Sequence, residues 1–193
     1  MDAVLKKSFL SCLLLSFIVS GCATAAISGA QAVYTRQSIK ESMNDHYATL
    51  AAYRKIYLDT DKFKNTNVSV VTFNNTVLLA GQVENDTQKN EIEELVRKSS
   101  GLEKIHNLIT IAAPTTSLVR MSDTWITAKI KAKLVANNDL DPSQIKVFTE
   151  NGTVYLMGIV PPDQANIAID IARTTAGVED VVKVFEYIRI TQA

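Results

Sequence analysis

Large apolar residues follow three patterns along this 193-residue chain: one dense run, one sparse stretch and a long alternating region. The dense run is Phe9, Leu10, Leu13, Leu14, Leu15, Phe17, Ile18 and Val19, broken only by serines and Cys12. It spans 11 residues, about half of the ~20 that a membrane-crossing helix needs, so it predicts the core of a cleaved secretory signal and not a permanent span. From Ala23 to about Tyr47 the residues are mostly small and polar, without the apolar spacing of a core helix. That composition predicts a tether, with transient helix near its end.

Beyond the tether the alternating pattern occurs twice. The stretch 68–83 lies 77 residues before 145–160, and Val70, Thr72, Asn74, Thr76, Val77, Leu79 and Gly81 match Val147, Thr149, Asn151, Thr153, Val154, Leu156 and Gly158. Arg97, Gly101 and Glu103 recur as Arg173, Gly177 and Glu179 at an offset of 76, a one-residue slip within a helix or loop. Asn151-Gly152 between two β-rich runs is a strong hairpin signal, because both residues tolerate positive φ; Asn74-Asn75 does the same less well. The runs predict strands over 68–73, 77–83, 105–111, 145–149, 153–160 and 181–190. Helices are expected over 48–58, 86–100, 122–136 and 162–176, with Gly101 and Gly177 as left-handed helix ends. Gly81 and Gly158 fall inside strands, where glycine marks a bulge or a close approach by another element. The order is αββαβ twice, an α+β fold in which helices pack on a three-stranded mixed sheet. The expected boundaries are a signal at 1–21, a tether at 22–46, modules at 47–113 and 122–191, and a linker at 114–121.

The chemistry near the N-terminus sharpens the first of these. Lys6 and Lys7 precede the apolar run, which ends in Val19-Ser20-Gly21-Cys22. This resembles the bacterial lipobox: an aliphatic residue, two small residues that fit a narrow peptidase cleft, and a thiol that takes a thioether-linked lipid. The resemblance implies cleavage before Cys22, lipidation of Cys22 and anchoring by several acyl chains, which together hold a protein stably where one chain does not. Ala23 in place of Asp implies the outer membrane. Cys12 then leaves with the signal and Cys22 carries lipid, so the mature protein has no disulfide. Charge adds an exclusion. The chain has 20 basic and 20 acidic residues, a balance that gives no global pull toward nucleic acid or anionic membrane, so any attraction to charge is local.

The two modules resemble a known family. Each has a late Gly-[Leu/Val]-Glu and a strand of the type Leu79-Ala-Gly-Gln-Val83 or Leu156-Met-Gly-Ile-Val160, as BON domains do. With the lipobox and Ser122-Asp-Thr-Trp-Ile-Thr-Ala-Lys-Ile-Lys-Ala-Lys-Leu134, the chain looks like the dual BON-domain lipoproteins of Gram-negative outer membranes. The resemblance implies binding without catalysis: anionic, phosphatidylglycerol-like phospholipid engaged by the first helix of the second module, in support of envelope integrity and at the division site. On that helix Ile126, Ile130 and Leu134 recur every four residues as a core stripe. Trp125, Lys129, Ala132 and Ala136 lie about 100° to one side, with Lys133 between. The expected lipid-binding set is Trp125, Ile126, Lys129, Lys133, Leu134 and Ala136, with Lys131 adding to the basic cluster. An indole at headgroup depth beside ammonium groups suits a membrane interface. The alternative is that Trp125 packs on the sheet or the other module and the lysines form a solvated face; Val135 and Leu140 belong to either surface.

Catalytic signals are sparse. His46 and His106 have no second His or Cys at ligand spacing, so no metal or other cofactor is expected. Neither a nucleophile elbow nor a phosphate loop occurs. Asp59, Asp61, Asp139 and Asp141 stand at turns, where such residues bond their own backbone. A protein-interaction scaffold that recruits an envelope enzyme or assembly machinery, or a structural spacer, remains open beside the lipid reading.

Overall fold

A computed structural model describes residues 47, 49–51, 53–58, 62–100 and 104–188. The expectations for the signal, the tether, Cys22, His46 and Gly101 lie outside these residues. Among the described residues the order is a helical segment within 47–58, β1 (Asn67–Phe73), β2 (Thr76–Val83), α1 (Asp86–Ser100) and β3 (Lys104–Ile111). It then repeats as α2 (Ser117–Val135), a short 3-10 turn (Pro142–Gln144), β4 (Ile145–Glu150), β5 (Thr153–Val160), α3 (Pro162–Arg173) and β6 (Asp180–Tyr187).

Turn chemistry sets the hairpins. Asn74 and Asn75 have φ of 46° and 63°, and Asn151 and Gly152 have 49° and 74°. Positive φ at both central residues matches the right-handed twist of the flanking strands, so β1–β2 and β4–β5 pair antiparallel. The third strand of each sheet pairs parallel with the second, giving the orders β1-β2-β3 and β4-β5-β6. A parallel return needs a crossover, which α1 and α3 supply. The two strand glycines mark close approach: a Cβ on Gly81 would stand 1.9 Å from the Asn67 carbonyl oxygen, and one on Gly158 would stand 2.3 Å from that of Gln144.

The central strands are buried on both faces. Val77, Leu79 and Val83 meet Ile56, Ile92 and Val96 in one helix–sheet core. Val154, Leu156 and Val160 meet Ile126, Ile130, Leu134 and Ile169 in a second. The alternate residues Leu78 and Ala80 pack against Tyr155, Met157 and Val184 in a third, which joins sheet to sheet. The modules are thus stacked through their sheets, with a helix layer on each outer side.

Two helix ends differ from the expected positions. α2 begins at Ser117, five residues before the expected start, because Thr116 is an extended N-cap whose hydroxyl accepts the Val119 N–H. Residues expected to be linker therefore form the first turns of the helix. α3 ends at Arg173, with Thr174 N–H bonded to the Asp170 carbonyl. Gly177 does take positive φ, 96°, but in the loop behind the helix, where a Cβ would come within 3.2 Å of the Ile126 side chain. There glycine lets the loop close over α2.

Candidate functional site

α2 is fixed in rotation by three contacts. Ile126, Ile130 and Leu134 enter the core. The buried Asp123 carboxylate accepts the N–H groups of Asn151 and Gly152 at 2.8 and 2.9 Å, tying the helix to the β4–β5 turn. The Thr127 hydroxyl donates to that of Thr149 at 2.7 Å. With one face so held, the opposite face must look outward, and it is apolar. Leu118 (76% exposed), Met121 (71%), Trp125 (67%) and Val135 (70%) stand on it, with Ala128 and Ala132 exposed between them. The positions 118, 121, 125, 128, 132 and 135 step by three or four, which keeps them in one stripe along five turns.

Charge borders this stripe. α2 carries Arg120, Lys129, Lys131 and Lys133 against one acid, Asp123, which is buried. The Lys129 ammonium donates to the Ala176 carbonyl, and that of Lys133 to the Thr175 hydroxyl at 3.0 Å. Both lysines thus lie along the edge facing the loop after α3, beside Trp125.

The expected residues divide accordingly. Trp125 and Ala136 are exposed, and Lys129 and Lys133 flank them. Ile126 and Leu134, expected to bind lipid, are 2% and 1% exposed and belong to the core; the fold gives a ligand no access to them. Leu118 and Met121 were not expected, since a helix starting at 122 excludes them. The signal for them is the three-and-four spacing that runs unbroken backward from Trp125. Leu140 is also buried in the second core, whereas Val135 is on the outer stripe.

A polar cluster lies between the modules. Glu150 Oε1 accepts from Asn67 Nδ2 at 2.9 Å, Gln82 Nε2 at 3.0 Å and Thr115 Oγ1 at 3.3 Å. Burial pushes the Glu150 carboxyl above the usual carboxylate range; the Gln82 bond opposes this and the nearby Asp123 charge adds to it. The residue is held by module 1 and the connection. His106 is exposed on β3, and no group of three potential metal ligands occurs among the described residues. Asp141 accepts the N–H of Ser143, capping the short turn after α2. Among the described residues no helix is long and apolar enough to cross a membrane.

The chain matches the BON domain over residues 49–113 and again over 122–189. It is similar to the outer membrane lipoprotein DolP of Haemophilus influenzae, 30% identical over 178 residues that cover 90% of this chain and 92% of that one. The osmotically-inducible protein Y of Escherichia coli is 30% identical over 188 residues, 92% of this chain and 93% of its own. The 21 kDa hemolysin of Actinobacillus pleuropneumoniae is 34% identical over 131 residues, 68% of each chain.

Proposed function

This chain belongs to the BON-domain family, and from that premise we propose that it is a non-catalytic outer-membrane lipoprotein that reads anionic phospholipid with α2. The observation that carries the reading is the outward apolar stripe of Leu118, Met121, Trp125 and Val135, bordered by lysines on a helix whose one acid is buried. A stripe of this size on a soluble face marks an interaction surface. Its chemistry favours a bilayer: the Trp125 indole sits at headgroup level, the aliphatic groups enter the acyl boundary, and Lys129 and Lys133 meet phosphate. Each ammonium near an anionic surface contributes about 1 kcal/mol, and the bond Lys129 makes to a loop carbonyl is readily exchanged for one to a phosphate oxygen.

The name of the relative from Haemophilus influenzae supports the rest of the reading. The signal is removed after residue 21, Cys22 is lipidated, residues 22–46 form the tether, and both modules face the periplasm. Peripheral binding then acts on a protein already held at a membrane, so α2 sets orientation and lipid preference more than residence. Envelope integrity, including at the division site, is the role such a reader serves.

Co-sedimentation of the soluble fragment from Ala23 with liposomes tests this. Binding that requires phosphatidylglycerol, weakens as salt screens the lysines, and disappears in Trp125→Glu is the expected result. A folded fragment that sediments with neither phosphatidylglycerol nor phosphatidylcholine vesicles would sink the reading and leave a protein partner for the same face.

A further inference from the structure

Pairing in the third strands fixes which backbone groups each sheet leaves open. The Ala112 N–H bonds the Val83 carbonyl at 3.0 Å, and the Ile188 N–H bonds the Val160 carbonyl at 3.3 Å. In a parallel pair alternate residues serve the neighbouring strand. Ile105, Asn107 and Ile109 of β3 therefore turn their N–H and C=O groups to the free edge, as do Val181, Lys183, Phe185 and Tyr187 of β6. An open edge is a template for another strand, and folded chains blunt it.

Three of the four edges are blunted. On β1 the Tyr57 hydroxyl donates to the Val68 carbonyl at 2.9 Å, and the Tyr53 hydroxyl accepts the Val70 N–H at 3.1 Å. On β3 the Lys89 ammonium donates to the Ile109 carbonyl at 2.7 Å, and Asn107 Oδ1 accepts the Ile109 N–H at 3.3 Å. On β4 Ile145, Val147 and Thr149 are buried, with Thr149 bonded to Thr127 of α2.

The β6 edge lacks these devices. At the offset of 76 that relates the later parts of the modules, Ala165 stands for Lys89 and Lys183 for Asn107, so neither cap recurs. The Val181 N–H turns back to Asp180 Oδ1 at 2.8 Å. Among the described residues no side chain bonds the outward groups of Lys183 or Phe185. Lys183 is exposed, Phe185 is half-buried, and Tyr187 and Ile188 are 55% and 45% exposed. From Val181 to Tyr187 the open edge runs about 20 Å.

We infer that β6 pairs antiparallel with β6 of a second copy of this chain, about a two-fold axis at Phe185, joining two three-stranded sheets into one of six. The second copy is the occupant because the edge is complementary to itself. Two-fold pairing sets one surface against the same surface, so outward groups must meet outward groups. Registers centred on Lys183 or Glu186 place like charges face to face, and one centred on Val184 sets Asp180 against the apolar Ile188. Centring on Phe185 brings the two Phe185 side chains together and sets Lys183 opposite Tyr187 of the second copy, an ammonium beside a ring at both ends. Val182 then meets Ile188 of the second copy. The Phe185 and Tyr187 rings already lie 6.5 Å apart, so pairing extends one aromatic cluster across the axis. The axis stands perpendicular to the joined sheet, which leaves the helix layers of both copies on one side. Both α2 stripes then look the same way, as two copies on one membrane require. The pairing goes beyond the lipid reading of α2 and stands if that reading falls.

Disulfide trapping tests the pairing and its register together. In the lipidated chain Cys12 is gone and Cys22 is blocked, so introduced thiols report alone. The chain is reconstituted in vesicles of phosphatidylcholine, where α2 has no anionic lipid to read, and exposed to a mild oxidant. Lys183→Cys with Tyr187→Cys should form linked dimers about tenfold faster than either single variant, because opposed residues stand within disulfide reach. Within one copy the two positions lie about 13 Å apart along the strand, too far to bridge. Both changes fall on exposed side chains, and wild type is the unlinked control. Similar rates in all three variants, or no linkage in any, would overturn the pairing and leave the edge to a different chain. Rapid linkage by Lys183→Cys or Tyr187→Cys alone would overturn the Phe185 register.

Discussion

Glu150 accepts three hydrogen bonds at one oxygen, Oε1, from Asn67, Gln82 and Thr115. Burial nevertheless raises its pKa from the ordinary 4.5. A group whose folded pKa is raised gives stability that is fully present below the unfolded value and lost as pH rises through the folded one. At neutral pH the ionised carboxyl therefore costs stability relative to a neutral amide that keeps Oε1. Glu150→Gln should melt higher than wild type at neutral pH, with the gap closing as pH falls toward the ordinary carboxylate range. Glu150→Ala should melt lower, since it strands buried donors at a cost of about 1–3 kcal/mol. Thermal melts of the three proteins across that window check both statements. This junction was not legible in the sequence, because it is assembled from residues up to 83 positions apart. By contrast Asn151-Gly152, Gly81 and Gly158 were legible, each through a demand on its own backbone or its immediate strand neighbour.

Helix α2 shows how far periodicity reaches. The core stripe of Ile126, Ile130 and Leu134 was readable from a spacing of four, and all three are buried. The outer stripe was readable only in part. A helix N-terminus is a local competition between cap and chain, and Thr116 wins it although Ser122 offers the same chemistry. Placing the start at 122 hid Leu118 and Met121, and counting Ile126 and Leu134 as lipid contacts assigned one side chain to two opposite faces. The corrected stripe makes a specific prediction. Leu118→Glu with Met121→Glu should abolish binding to phosphatidylglycerol liposomes while changing stability by no more than ~0.5 kcal/mol, as surface substitutions do. Ile130→Ala should do the reverse, costing about 2–5 kcal/mol through the cavity it leaves while sparing the outer face. Denaturant melts and co-sedimentation on the same preparations separate the two effects. Binding that survives the double glutamate variant places the contact elsewhere.

The stacking of the two sheets had a trace in the sequence that alternation alone does not decode. Val77–Ala80 is an unbroken apolar run inside a strand, and a strand hydrophobic on both faces must be covered on both. One cover is the module's own helices. The other, Tyr155, Met157 and Val184 of the second module, follows from nothing local, since any apolar face of matching size satisfies the same demand. Once formed, that third core couples the modules. Separating them exposes Leu78, Ala80, Tyr155 and Met157, and breaks the bonds from Lys104 and Thr76 to Glu186. The Lys104–Glu186 pair is exposed, so its share is small and the apolar contact dominates. Calorimetry of the fragment from Ala23 should accordingly give one cooperative transition for wild type. Ala80→Asp places an unpaired carboxylate in the sheet–sheet core without touching either helix–sheet core, and costs several kcal/mol unless the modules part. The expected outcome is two transitions, each module melting on its own core, with phosphatidylglycerol binding by α2 retained. A single transition at a lower temperature would mean that neither module is stable without the other's sheet, and that the two BON copies fold as one unit.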